Sequence, residues 1–128
     1  MKLLLDTHAL LWWLTDDHRL SGQARDAIAN EQNSIFASAA SAWEIATKQR
    51  IGKLEQLPDV VERYHELVAA DGFIHLPITA VHALRAGSYS MQHSDPFDRM
   101  LAAQSELEML PIVTLDPAFS AFNCRTFW

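Results

Sequence analysis

Four short apolar runs alternate with helix-patterned stretches along this chain, and that alternation constrains its fold more than any other feature. The runs are Lys2 to Leu5, Ser34 to Ala37, Phe73 to Leu76 and Pro111 to Thr114. Each is of strand length, too short for a stable helix. Strands that alternate with helices predict an α/β fold with a parallel or mostly parallel sheet covered on both faces.

The intervening segments carry helix signals of their own. Residues 7 to 15 are apolar almost all round through Ala9, Leu10, Leu11, Trp12, Trp13 and Leu14, so this helix is either deeply buried or half covered by a partner subunit. Ser21 caps a second helix that reaches about Asn30, with Ala24, Ala27 and Ile28 facing inward. Ser38 or Ser41 caps a third, which carries Trp43, Glu44, Ile45 and Lys48 towards Arg50 and stops at Gly52.

Leu57-Pro58-Asp59 opens a fourth, with Val60, Val61, Tyr64, Leu67 and Val68 at helical spacing and Asp71-Gly72 as its end. Pro77 and Thr79 lead into a short fifth through Val81 and Leu84, and Gly87 to Ser94 reads as a polar loop. Asp95 is then the N-cap, and Pro96 the first residue, of a helix to about Met109. Cys124 to Trp128 is expected to add an edge strand.

The 128 residues are enough for one core, so residues 1–128 are expected to form a single domain. No apolar run approaches the roughly 20 residues that span a bilayer, and Asp6 interrupts the N-terminal leucines before a secretory signal can form. The chain is therefore expected to stay in the cytoplasm, away from membranes. Cys124 is the only cysteine, which excludes an internal disulfide and a multi-thiolate zinc site and makes it a packing residue rather than a nucleophile. The net charge of −6 argues against unspecific adhesion to nucleic acid unless bound cations offset it, and it suits a basic protein partner.

Four acids stand out by position. Asp6 and Asp116 lie just past the ends of expected strands, where ligands bind in parallel sheets. Glu44 and Asp98 fall in the first turns of helices expected to cover the sheet. Each also has an ordinary structural role open to it. Asp6 can cap the first helix, Glu44 can pair with Lys48 four residues on, Asp98 has capping-box spacing from Asp95, and Asp116 before Pro117 suits a turn.

Brought together, carboxylates need a counter-charge. Oxygen ligands without cysteine or paired histidines fit Mg²⁺ or Mn²⁺ better than zinc. Such a cation activates water and stabilises charge on a phosphoryl group, so phosphodiester hydrolysis is the reaction this set suits. His8, His75 and His82 are expected to be satisfied partners or surface residues, whereas His93, directly before Ser94-Asp95-Pro96, is placed to orient an acid or a phosphate. Lys48, Arg50, Lys53 and Arg99 are the cations near the proposed site, as phosphate contacts or as a solvated face. The glycines form no phosphate-cradling motif.

With LLLDTHALLWWL, SAASAWEIATKQRIGKL and HSDPFDRMLAAQSELEMLPIVTLDPAF in this order, the sequence resembles the PIN-domain family, and within it the VapC-like toxins of bacterial toxin–antitoxin pairs. The likeness covers practically the whole chain, and DPFDRMLAAQ is its most specific part. It implies a three-layer α/β/α sandwich, a carboxylate site for Mg²⁺ or Mn²⁺, endonucleolytic cleavage of RNA, a homodimer and a cognate antitoxin. The family's acids fall on Asp6, Glu44, Asp98 and Asp116 as catalytic metal ligands, with Asp95, His93 and Arg99 as auxiliary candidates. The family's fourth position often has a basic residue between Thr and Asp; here Leu115 stands there, which removes a phosphate contact and keeps the acid.

Two other functions compete. A catalytically silent PIN fold acting as an interaction module is disfavoured by the presence of all four acids. A phosphatase or phosphotransfer domain working through an aspartyl phosphate needs an acid beside Asp6, where Thr7-His8 follows instead.

Overall fold

The computed structural model describes residues 1–128. Strands β1 (Lys2–Leu5), β2 (Ser34–Ser38), β3 (Ile74–Leu76), β4 (Ile112–Val113) and β5 (Thr126–Phe127) form one sheet in the order β3-β2-β1-β4-β5. Every neighbouring pair is parallel, so the sheet is wholly rather than mostly parallel. β1 sits at its centre, with Leu4 opposite both Phe36 and Ile112.

Six helices cover the two faces: α1 (Thr7–Leu14), α2 (Gly22–Ala29), α3 (Ala39–Arg50), α4 (Val60–Ala70), α5 (Ala80–Ser88) and α6 (Pro96–Glu108). The period of two along β1 divides the core. Leu3 and Leu5 join the cluster under α1, α2 and α4, while Leu4 faces the cluster under α5 and α6. The expected α/β/α sandwich follows from that division.

Most caps are the expected ones. Ser21 accepts from the Ala24 amide, Thr79 and His82 form a capping box, and Asp95 accepts from the Phe97 and Asp98 amides with Pro96 first in α6. Gly52 and Gly72 follow α3 and α4 with φ of +78° and +70°, a region glycine enters without steric penalty. Ser38, rather than Ser41, caps α3. Its hydroxyl also bonds Gln104, 66 residues away, which is why local sequence left the choice open.

One expectation is corrected. Gly87 to Ser94 is not simply a polar loop, because α5 runs through Ser88 and Tyr89 is buried at 8% exposure. On α1, Ala9, Leu10 and Leu11 are buried, and the two tryptophans are partly covered by their own chain. Trp12 lies edge-on to Trp128 with Arg19 over its ring, and Trp13 packs on Phe73 and donates to Asp71.

Candidate active site

The four acids fall into two pairs towards the carboxyl edge of the sheet. Asp6 ends β1, and its amide still donates to Val113 of β4, so it leaves the sheet between two strands. It is 5% exposed, and Oδ1 accepts from the Ala9 amide at 2.7 Å. Its capping role is therefore real. Burial pushes its carboxyl above the ordinary range; the Thr114 hydroxyl and Ala9 amide pull against that, and the negative charge of Asp116 adds to it.

Asp116 is exposed and caps the 3₁₀ turn Pro117–Ala121 by accepting from Ala118 at 2.9 Å, while its own amide donates to Thr114 Oγ1. Asp6, Asp116, His8 and Trp12 line one hollow.

Because α3 starts at Ser38, Glu44 lies in its second turn and not its first. It is 9% exposed, and Oε2 sits 3.2 Å from Lys48 Nζ, so the expected ion pair forms. Asp98, in the first turn of α6, does not complete a capping box; Asp95 does the capping alone. The Asp98 side chain turns instead to His93, with Oδ2 3.0 Å from Nε2. Its carboxyl is pushed up to about 6, chiefly by burial, with the charges of Asp95 and Glu44 adding and His93 opposing.

Four distant segments thus supply two acid pairs, Asp6 with Asp116 and Glu44 with Asp98, each pair feeling its mutual repulsion. The Thr7 and Ser41 hydroxyls, 3.0 Å apart and buried, tie the residue after Asp6 to the helix turn before Glu44. The sequence offered Ser41 only as a helix cap and Thr7 not at all, although Thr7 adjoins Asp6 and Ser41 shares a helix face with Glu44. No three His, Cys, Asp or Glu side chains converge into a ready-made metal cage. Like charges drift towards whatever counter-groups are near, and here those are a lysine, a histidine and backbone amides.

The neighbouring cations divide as well. Lys48 and Lys53 line a groove of about 710 Å³ beside the acids, and His8 and Trp12 form the wall it shares with the Asp6–Asp116 hollow. Arg50 is exposed and lies outside that groove. Arg99 commits its donors to the carbonyls of Ala86, Tyr89, Met91 and His93. It holds a segment in place and has little left for a phosphate. His82 is a buried structural partner of Thr79 and Glu108, and burial raises the Cys124 thiol, as suits a packing residue.

Among curated proteins none matches this sequence. The fold is similar to VapBC2 from Rickettsia felis bound to a DNA fragment from its promoter, with TM-score 0.69 and 12% identity over 98% of this chain and 96% of that one. It is also similar to FitAB bound to an IR36 DNA fragment (0.60, 20%, covering 99% and 94%) and to FitAcB from Neisseria gonorrhoeae (0.61, 18%, covering 100% and 97%). At such identities these likenesses establish the architecture. The sequence itself matches the family model described as PIN domain over residues 3–123, nearly the whole of the sheet and all six helices, and on that match the chain belongs to the PIN domain family.

Proposed function

We propose that this chain is a Mg²⁺- or Mn²⁺-dependent endoribonuclease and the toxin of a toxin–antitoxin pair. The reading is supported by two acid pairs drawn from separate segments, Asp6 with Asp116 and Glu44 with Asp98, with Asp6 and Asp98 both held above the ordinary carboxylate range. Burying acids at such a cost is characteristic of sites built for chemistry.

The donor set fits a hard cation: all four acids offer oxygen, and no thiolate competes. Mg²⁺ keeps several waters and takes one or two carboxylates directly, so paired acids suit it better than a closed cage would. Asp6, Glu44, Asp98 and Asp116 would hold it. When bound, such a cation lowers the pKa of water and stabilises charge on a phosphoryl oxygen.

The chain's own residues do the rest. Asp6 and Asp98 are fixed by the Ala9 amide and by His93, which limits the freedom lost on binding. Arg19, Lys48 and Lys53 outnumber Asp17 and Glu55 along the groove, and these cations would position a phosphate backbone without reading its bases. Leu115, 56% exposed, stands where a further cation would have met the phosphate.

The partners follow the same reading. Two of the similar structures are complexes on DNA, which supports an antitoxin that binds DNA as the cognate partner, and the net charge of −6 suits a basic one. α3 and α5 leave Trp43, Val81 and Leu84 exposed, apolar surface that a homodimer would bury. No helix is long and apolar enough to cross a membrane.

The test is to incubate the partner-free protein with RNA in Mg²⁺ or Mn²⁺, then with EDTA, beside Asp6→Asn and Asp98→Asn. Cleavage that survives the chelator or either substitution would sink the proposal. Absence of any cleavage by a folded protein would favour the silent interaction module, a reading supported by the internal partner each acid already has.

A further inference from the structure

We propose that His93 is a positioning residue, which fixes one oxygen of the Asp98 carboxylate so that the other is presented to the cation. The proposal rests on the nuclease reading above and extends it to a residue outside the four acids.

An ionised carboxylate only accepts hydrogen bonds, so His93 Nε2, 3.0 Å from Asp98 Oδ2, carries the hydrogen and donates. Asp98 Oδ1 takes no hydrogen bond from the protein. The Asp98 backbone is fixed too, since its amide donates to Asp95. The acid therefore has one oxygen held and one free.

The imidazole is itself constrained from two sides. Its ring stands edge-on to Phe122 with centroids 5.3 Å apart, and the His93 carbonyl accepts from Arg99 at 2.9 Å. The same guanidinium takes Ala86 at 2.9 Å, Tyr89 at 2.7 Å and Met91 at 3.2 Å, gathering the whole stretch that leads to His93. Tyr89 is anchored in turn, its hydroxyl donating to Glu106 at 2.6 Å and its ring against Phe122.

Both side chains of the pair are largely covered, 21% and 19% exposed, so the anchored ring holds the acid in one orientation. Partners that orient metal ligands typically matter by about 10–100-fold in affinity or rate when removed.

The experiment uses the partner-free full chain. Mn²⁺ binding is measured by electron paramagnetic resonance without substrate, and kcat and KM on RNA are measured separately, for wild type, His93→Ala, His93→Gln and Asp98→Asn. We expect His93→Ala to weaken Mn²⁺ binding and lower kcat by about 10–100-fold with KM for RNA little changed. His93→Gln, whose amide can donate to the same oxygen, should recover most of both, while thermal midpoints of the two variants stay together. Wild-type Mn²⁺ affinity and kcat in His93→Ala, with Asp98→Asn inactive, would overturn the positioning role alone. Equal impairment of the Ala and Gln variants would also overturn it. Wild-type Mn²⁺ binding and cleavage in Asp98→Asn would instead remove the site reading and this proposal with it.

Discussion

Lys48 Nζ lies 3.2 Å from Glu44 Oε2, so one acid of the candidate site carries its own internal counter-ion. Glu44 is buried, and taking away its partner leaves a charge without compensation. Lys48→Ala should lower stability by about 1–2 kcal/mol in metal-free buffer. Added Mn²⁺ should stabilise this variant more than wild type, because a cation that binds only the folded state takes over the role of the ammonium. Thermal unfolding with and without Mn²⁺ checks both; equal metal-induced shifts would place the cation elsewhere.

Asp98 gives a pH dependence with a definite sign. Its folded value of about 6 lies above the ordinary 3.8, so its contribution to stability is fully present below about pH 4 and is lost as pH rises through about 6. At neutral pH the ionised group is a net cost, which partial solvent exposure keeps to the order of 1 kcal/mol. Asp98→Asn should therefore be more stable than wild type at pH 8 by that order, and the gain should vanish on titration to below about pH 4. In the metal-free protein proton and cation compete for this carboxylate, so Mn²⁺ binding should weaken as pH drops through about 6. Urea unfolding without metal across that range, beside Mn²⁺ titrations at each pH, measures the two effects.

Tyr64 is 8% exposed, and its hydroxyl has no hydrogen-bond partner. The same burial pushes its ionisation up to about 12. Tyr64→Phe removes a desolvated group and keeps the ring, so it should stabilise by on the order of 1 kcal/mol. A lower midpoint in chemical denaturation would show that the hydroxyl does find a partner in solution.

Gln104 is the opposite case. Fully buried, it accepts from Ser38 and donates to the Pro77 carbonyl, joining α6 to the start of α3 and the end of β3. Gln104→Leu keeps the bulk and strands both partners, at a cost of about 2–3 kcal/mol. Equilibrium unfolding tests this, and near-neutrality would mean that the two partners find new bonds.

What the sequence made legible was local. Ser21, Thr79 and Asp95-Pro96 announce helices because the cap and the amides it satisfies lie within four residues. Asp6 and Asp116 could be placed on one rim because parallel strands share a carboxyl edge. What stayed hidden depends on partners far along the chain. The choice of Ser38 over Ser41 is made by Gln104, the burial of Tyr89 by Arg99 and Glu106, and the turn of Asp98 away from capping by His93. Arg99 read as a phosphate contact or a solvated cation because composition records a charge and says nothing of the four carbonyls that consume it.

The central place of β1 has a consequence for how the sheet closes. Leu4 pairs on one side with Phe36 and on the other with Ile112, which lies far along the chain. Until β4 docks, β1 is an open edge and Asp6 has no Asp116 beside it. The contact that completes the hydrophobic centre is therefore also the one that brings these two carboxylates together.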